Sequence, residues 1–236
     1  MAISNDSRTR IKKAFEPIAL GMGRLGLTPD ALTLIGFAIT VVGAVLVAMQ
    51  LWLLGGVVVL LGGVFDMFDG TLARATGRVS RLGAFMDSVF DRWGEAIVYV
   101  AVVIGSSRAQ FELGAWFAAA ALASAFMVSY VRAKSEGLGF TEGTGMAAVG
   151  IMPREVRLIV LTVGLVGAVV LGGVMPVEMF GENTGLGVSV DATGSFFLLF
   201  ALGIITMGAT ITTIQRILHV RAQAQAQSTS NDIPTT

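Results

Sequence analysis

Long apolar stretches alternate with short polar segments along most of the chain. Each long stretch has about 20 residues, the length that an α-helix needs to cross a hydrocarbon core of about 30 Å. No segment shows the alternation over about ten residues that is typical of membrane β-strands. The pattern therefore predicts an all-α membrane protein with six transmembrane helices. These helices are predicted near residues 31–50, 52–73, 83–106, 113–135, 156–175 and 194–218.

The polar segments at the two ends of the chain differ in character. Residues 8–25, RTRIKKAFEPIALGMGRL, mix basic and apolar side chains, which favours an amphipathic helix lying on the membrane surface. The last residues, AQAQAQSTSNDIPTT, are polar and predict a disordered tail. We therefore divide the chain into an N-terminal segment with an interfacial helix (1–25), a six-helix transmembrane domain (26–221) and a tail (222–236).

Basic residues concentrate on one side of the predicted membrane. The loops on the opposite side contain Arg108 as their one basic residue, beside several acidic ones. Because lysine and arginine are enriched in cytoplasmic loops, we predict that both terminal segments are cytoplasmic and that the protein lies in the cell membrane. The basic positions on the predicted cytoplasmic side are Arg8, Arg10, Lys12, Lys13, Arg24, Arg74, Arg78, Arg81, Arg132, Lys134, Arg154, Arg157, Arg216 and Arg221.

Composition narrows the chemistry that is available to the protein. Of the 236 residues, 54% are hydrophobic and 14% are charged, whereas about 25% are charged in an average soluble domain. This balance excludes a soluble enzyme and a nucleic-acid binder. The absence of cysteine excludes thiolate chemistry, and the single histidine, His219, excludes a histidine-rich metal site. Carboxylates, arginines and hydroxyls remain for any reaction.

Four aspartates interrupt the second and third predicted spans. Asp66 and Asp69 are three residues apart, and Asp87 and Asp91 are four apart, so each pair shares one face of its helix. A short loop joins the two helices, so all four carboxylates should converge just below the cytoplasmic surface. Like charges at this depth require compensating positive charge. Mg²⁺ and Mn²⁺ prefer oxygen ligands, and a two-metal site suits phosphoryl displacement.

Two other interpretations apply to these acidic residues. In a purely structural interpretation, Arg74, Arg81 or Arg92 neutralises them. In a second interpretation, the chain is a cation transporter, which would carry acidic residues deeper in several helices and a path to both faces. The acidic residues here cluster at one boundary, and the opposite side has few charges. We therefore favour an enzyme with two bound divalent cations.

The aspartates belong to a longer pattern, D-x2-D-G-x2-A-R-x8-G-x3-D-x3-D, which spans 26 residues. This pattern resembles the signature of the CDP-alcohol phosphotransferase family, and the six spans with an interfacial helix also resemble that family. The resemblance implies a homodimeric phospholipid-synthesis enzyme with a CDP-diacylglycerol donor and two divalent cations, Mg²⁺ or Mn²⁺. The acceptor hydroxyl would attack the β-phosphorus of the donor, and CMP would leave.

The same resemblance implies roles for individual residues. Asp91 would be the general base. The implied metal ligands are Asp66, Asp69, Asp87 and Asp91. The implied contacts to the cytidine diphosphate are Thr33, Asp69, Gly70, Ala73, Arg74 and Gly83.

A second polar group lies at the cytoplasmic ends of the last three spans. Together these residues could bind the phosphate of an anionic acceptor alcohol. The segments resemble those of phosphatidylinositol-phosphate synthases, which implies inositol 1-phosphate as the acceptor, and glycerol 3-phosphate is the main competitor. The predicted acceptor-binding residues are Ser129, Arg132, Arg154, Arg157 and Arg216.

Overall fold

The computed structural model describes residues 16–140, 149–174 and 193–231, with side chains of the last helix up to residue 226. Throughout these ranges the chain forms helices joined by short turns, without a strand, so the predicted all-α class is confirmed. The helices are α1 (16–24), α2 (Pro29–Ala48), α3 (Trp52–Ala75), α4 (Arg81–Arg108), α5 (Glu112–Gly137), α6 (Arg154–Val170) and α7 (Thr193–Asn231).

Four of the described helices are long and apolar enough to cross a membrane. They are α2, α3, α5 and, over Thr193–Ala226, α7. The two other predicted spans coincide with α4 and α6. Charged residues continue along α4 as far as Glu95, and α6 has 17 residues. The apolar length of each is therefore shorter than the about 20 residues of a full crossing.

Helix α7 continues further than the sequence predicts. We predicted a span that ends near residue 218 and a disordered tail from 222, whereas α7 runs to Asn231. The alternating alanine and glutamine of residues 222–227 have favourable helix propensities, and neither glycine nor proline interrupts them. Residues 232–236 lie outside the described ranges. Of the predicted interfacial helix at 8–25, residues 16–24 are described, and they are helical.

The chain divides into two compact units, Met1–Val98 and Tyr99–Thr236. In the first unit, α2 and α3 pack against each other in antiparallel orientation through small residues. A Cβ atom added at Gly43 would lie 2.7 Å from the backbone nitrogen of Val59, and one added at Gly55 would lie 2.7 Å from the nitrogen of Val47. Glycine at these positions lets the two backbones approach closely and fixes the register of the helix pair.

Helices α1 and α4 pack on this pair within the first unit. A buried cluster joins α1 to the other two helices; its members are Ala19, Leu32, Phe68 and Leu72. The ring of Phe90 on α4 lies 4.9 Å, centroid to centroid, from Phe37 on α2. One turn later, a Cβ at Gly94 would be 3.4 Å from Thr40 Cγ2. These contacts place the start of α4 beside α2.

In the second unit, α7 packs against α5 and α6. Gly164 of α6 faces Ala201 of α7 so closely that a Cβ at Gly164 would lie 2.6 Å from the alanine side chain. The segment before α6 is also attached to α7, because the Met152 amide donates to Thr212 Oγ1 over 3.0 Å. Gly150, just before, has φ 118°, a conformation that side chains disfavour.

Candidate metal and nucleotide site

Three aspartates converge where α3 and α4 approach each other. Asp66, Asp69 and Asp87 each present a carboxylate oxygen, and these oxygens all lie within 4.8 Å of one another. Asp69 is buried, with 5% of its surface exposed, and the other two are half-buried. The predicted convergence of carboxylates from the two helices is therefore present for these three residues.

Asp69 is oriented from two sides. Thr33 of α2 donates its hydroxyl to Asp69 Oδ2 over 2.5 Å, and the Gly70 amide donates to Asp69 Oδ1. The Thr33 hydroxyl also lies 3.2 Å from the Pro29 carbonyl, but a hydroxyl has one proton to donate. Both carboxylate oxygens thus have a donor, which compensates for water lost on burial and sets the direction of the carboxylate.

The chemistry of this cluster fits a hard divalent cation. Its ligand atoms are all carboxylate oxygens, the type that Mg²⁺ and Mn²⁺ prefer. Two oxygens bound to one ion at about 2.1 Å lie at most about 4.2 Å apart. Oxygens within 4.8 Å of one another therefore need only small movements to become common ligands.

The structural interpretation, in which arginine neutralises the aspartates, names Arg74, Arg81 and Arg92. Among the described residues, neither Arg74 nor Arg81 makes an ion pair. The Arg92 guanidinium lies 3.7 Å from the Glu95 carboxylate, an acidic residue outside the cluster. Of the three arginines that the structural interpretation named, Arg74 and Arg81 therefore form no ion pair with the cluster.

Asp91 does not join the three-carboxylate group. It follows Asp87 by four residues on the same face of α4 and is half-buried, but its carboxylate is not among the oxygens that lie within 4.8 Å of one another. The sequence predicts four converging carboxylates, and the structure brings three together. Four residues of helix correspond to a rise of about 6 Å, so Asp91 lies about one turn beyond Asp87.

The residues predicted to contact a nucleotide border the carboxylates. Gly70 and Ala73 are half-buried on α3, and Arg74 is exposed. The Arg74 guanidinium covers Gly70, since a Cβ there would lie 3.2 Å from Arg74 Nη1. Thr33 is 5% exposed and contacts Asp69.

Two oxygen-bearing residues beside Gly83 were missed in the sequence. Ser80 caps α4, because its Oγ accepts the Gly83 amide proton over 2.8 Å. A Cβ at Gly83 would lie 3.3 Å from Asp30 Oδ1 of α2. A serine just before a helix start is a capping signal. Asp30 shares a helix face with Thr33, because it lies three residues earlier. Both residues could therefore have been identified in the sequence.

The predicted acceptor-binding residues lie in the second unit and make specific contacts there. Arg157 and Arg216 are 1% and 4% exposed. Arg157 Nη1 donates to the Met152 carbonyl over 2.9 Å, and Arg216 donates to the carbonyls of Val149 (3.0 Å) and Val128 (2.6 Å). These two arginines therefore attach the segment before α6 to its neighbours, a structural role that the sequence did not predict.

The other three members of this set are closer to the surface. Arg132 pairs with Glu136 on the same helix over 2.9 Å, and both side chains are exposed. Ser129 donates its hydroxyl to the Ala125 carbonyl over 3.2 Å. Arg154 is the first residue of α6 and is half-buried.

Comparisons with known proteins agree with the motif. The family model described as CDP-alcohol phosphatidyltransferase matches residues 26–225. An archaetidylinositol phosphate synthase of Pyrococcus horikoshii is 35% identical over 70% of this chain and 84% of its own. A phosphatidylinositol phosphate synthase of Cutibacterium acnes is 33% identical over 91% of this chain and 95% of its own.

Solved structures show the same fold. The phosphatidylinositol phosphate synthase of Mycobacterium tuberculosis with CDP-DAG bound has a TM-score of 0.69 and 26% identity, covering 88% of this chain and 94% of that one. The same enzyme in complex with manganese and citrate also has a TM-score of 0.69, with 27% identity over 87% of this chain and 88% of that one. These matches identify a transferase with a divalent-metal cofactor and not a cation transporter. The resemblance predicted from the sequence is confirmed. The chain belongs to the CDP-alcohol phosphatidyltransferase family.

Proposed function

We propose that this enzyme transfers a phosphatidyl group from CDP-diacylglycerol to a hydroxyl of inositol 1-phosphate and releases CMP. The observation that carries the proposal is the group of three carboxylates, Asp66, Asp69 and Asp87, with oxygens within 4.8 Å of one another. The names of the relatives from Pyrococcus and Cutibacterium and the CDP-DAG-bound neighbour support the donor and the acceptor.

The carboxylates of Asp66, Asp69 and Asp87 would hold divalent metal, Mg²⁺ or Mn²⁺, with Asp91 as a further ligand to a second ion. When bound, these cations would offset the negative charge on the oxygens of the donor diphosphate, including those of the phosphorus under attack. The Thr33 hydroxyl and the Gly70 amide keep the Asp69 carboxylate in one orientation.

Asp91 would act as the general base. Its carboxylate would accept the proton of the acceptor hydroxyl, whose oxygen then forms a bond to the β-phosphorus of the donor. The bond between that phosphorus and the bridging oxygen breaks, and CMP leaves with the bridging oxygen. The position of Asp91 one turn beyond Asp87, outside the three-carboxylate group, supports a role as base in addition to metal ligation.

Nucleotide contacts would come from Thr33, Asp69, Gly70, Ala73, Arg74 and Gly83. Arg74 is exposed and makes no ion pair with another described residue, so its guanidinium is available for a phosphate oxygen of the donor. The two glycines and Ala73 add little side-chain bulk and so permit close approach of a ligand.

The acceptor phosphate would be bound by Ser129, Arg132, Arg154, Arg157 and Arg216. Arginine suits this task because its planar guanidinium matches phosphate oxygens. The competing acceptor is glycerol 3-phosphate, which carries the same phosphate on a smaller alcohol.

The membrane arrangement is part of the proposal. Six spans, with α4 and α6 added to the four apolar helices, leave both termini and the active site on the cytoplasmic side. Residues 1–25 would carry the interfacial helix, residues 26–221 the catalytic domain and residues 222–236 the cytoplasmic tail. The homodimer rests on the family resemblance alone.

An acceptor screen tests this reaction directly. Purified enzyme with Mg²⁺ and radiolabelled CDP-diacylglycerol is given inositol 1-phosphate, glycerol 3-phosphate, free inositol or serine, and labelled lipid and CMP are measured. We expect the phosphorylated lipid product with inositol 1-phosphate at the highest kcat/KM. Preference for glycerol 3-phosphate would contradict the acceptor, and no CMP release with any alcohol would contradict the reaction.

A further inference from the structure

A cavity of about 260 Å³ lies in the first unit, between α1, the start of α2 and the end of α3. Leucines from three segments, Leu20, Leu27 and Leu72, provide an apolar lining, and Arg24 and Arg78 also line the cavity. None of the three clustered aspartates belongs to this lining. The cavity therefore combines an apolar interior with two cationic groups, apart from the residues assigned above to the metal and the nucleotide.

The two arginines have no anionic partner within the part of the chain that the structure describes. Both are exposed, and neither guanidinium makes an ion pair or a hydrogen bond there. Two cations beside one cavity repel each other weakly and attract an anion between them. The geometry of an arginine fork favours the oxygens of phosphate.

The cavity lies at the end of two helices that are apolar enough to span a membrane. Helix α2 begins at Pro29, a residue of the lining, and α3 ends at Ala75, next to the lining residue Thr76. Because α2 and α3 are antiparallel, these two ends belong to the same membrane boundary. At that level phospholipids present their phosphates, and basic side chains attract anionic headgroups.

We propose that this cavity binds the headgroup of an anionic membrane phospholipid. Arg24 and Arg78 would contact the phosphate, and the leucines would contact the glycerol and the first methylene groups. The volume is below the about 300–1,000 Å³ of typical small-molecule pockets, so the acyl chains would remain in the bilayer. Free phosphate is a poorer match because it would leave the apolar lining without a partner. The proposal requires only that α2 and α3 span the membrane and does not depend on the proposed reaction.

Lipid binding by the full-length protein in detergent micelles tests this site. Native mass spectrometry would follow titration with dioleoyl phosphatidylglycerol, with dioleoyl phosphatidylcholine as the zwitterionic comparison. The test variant is Arg24→Gln/Arg78→Gln. The control is Arg81→Gln/Arg221→Gln, which removes the same charge at two exposed arginines that do not line the cavity and make no ion pair among described residues. Thermal unfolding verifies that each variant is folded.

We expect the test variant to bind phosphatidylglycerol at least about tenfold more weakly, since each basic residue near the surface strengthens anionic-lipid binding. The control should bind like the wild type. Thr76→Phe, which fills the cavity and keeps both charges, should also weaken binding, and so keeps the test informative if the double variant is unstable. Phosphatidylcholine should bind weakly to all forms.

Several results would overturn the proposal. Equal phosphatidylglycerol binding by the wild type and the test variant would exclude the cavity, and an equal loss in the control would indicate nonspecific attraction. Displacement of the lipid by CMP with Mg²⁺ would place it at the donor site, and displacement by millimolar inorganic phosphate would indicate a simple anion site. None of these readouts requires turnover, so failure here is distinct from failure of the proposed reaction.

Discussion

The hydroxyl of Thr33 donates to Asp69 Oδ2 over 2.5 Å, from a position 36 residues earlier in the chain. This bond connects α2 to a carboxylate of the acidic cluster. Partners that hydrogen-bond to a metal ligand fix its orientation and raise its affinity for the ion. Thr33 is therefore placed to position Asp69, a metal ligand in the proposed function, whereas the family resemblance implied a contact to the nucleotide.

Replacement of Thr33 separates these two roles. Thr33→Val keeps the shape of the side chain but removes the donor, and we expect Mn²⁺ affinity to fall by about 10–100-fold. Thr33→Ser keeps the hydroxyl and serves as the matched control with near-normal affinity. Electron paramagnetic resonance of free Mn²⁺ measures binding without turnover. Unchanged Mn²⁺ affinity together with a raised KM for CDP-diacylglycerol would assign Thr33 to the nucleotide instead.

Asp91 and Asp87 should respond differently to loss of charge. Asp91→Asn should reduce kcat by about 10²–10⁴-fold, the usual contribution of a general base, while the Asp66–Asp69–Asp87 cluster still binds Mn²⁺. Asp87→Asn should lose both turnover and Mn²⁺ affinity. Parallel measurement of kcat and Mn²⁺ binding distinguishes the two. Normal turnover by Asp91→Asn would remove it as the base.

Arg74 should affect the donor more than the acceptor. Because hydrogen bonds to charged groups contribute about 1.5–3 kcal/mol, Arg74→Gln should raise the KM for CDP-diacylglycerol by about 10–100-fold. Gly70→Val should have a similar effect, since its side chain would displace the guanidinium that covers Gly70. Steady-state kinetics with each substrate varied in turn provides the test. An effect confined to the KM of the acceptor would contradict this role.

The arginines of the second unit should divide into a buried and an exposed class. Arg157→Ala leaves the Met152 carbonyl without its donor inside the protein, so we expect about 1–3 kcal/mol of destabilisation. Arg132→Gln removes an exposed pair with Glu136 and should change stability by less than about 1 kcal/mol, while raising the KM for inositol 1-phosphate. Thermal unfolding and acceptor kinetics measure the two effects. A stable Arg157→Ala protein would contradict the structural role.

Close packing of α2 on α3 leads to a prediction about stability. Gly55→Ala brings a methyl group to 2.7 Å from the Val47 backbone nitrogen, and overpacking of this kind costs about 1–3 kcal/mol. Gly21→Ala in α1 is the matched control, because a Cβ there meets no atom within 4 Å. Thermal unfolding in detergent should show a loss for Gly55→Ala alone. Equal stability of the two variants would contradict the antiparallel packing through glycine.

Sequence periodicity predicted the helices and the acidic cluster because both depend on local spacing. Aspartates three residues apart on α3, and a short turn to α4, suffice to bring Asp66, Asp69 and Asp87 together. Which carboxylates lie within 4.8 Å of one another depends on helix rotation and rise, and Asp91 is not among them. Spacing along a helix cannot resolve these tertiary details.

The sequence pattern did not predict contacts between residues far apart in the chain, for the same reason. The bond from Arg216 to the Val128 carbonyl joins residues 88 positions apart, and the donor to Asp69 comes from another helix. The positive-inside pattern gave no information about which of the arginines are buried. Arg157 and Arg216 are buried where they donate to backbone carbonyls of the segment before α6. This packing forms only when the second unit is folded.

Divalent-cation binding by the three clustered carboxylates is tested most directly by Mn²⁺ titration of EDTA-treated protein. Electron paramagnetic resonance would compare the wild type with the folded triple variant Asp66→Asn/Asp69→Asn/Asp87→Asn, and Arg81→Gln would serve as a control. We predict saturable Mn²⁺ binding in the wild type and the control and its loss in the triple variant. Equal Mn²⁺ binding by all three proteins would show that these carboxylates are not the metal site.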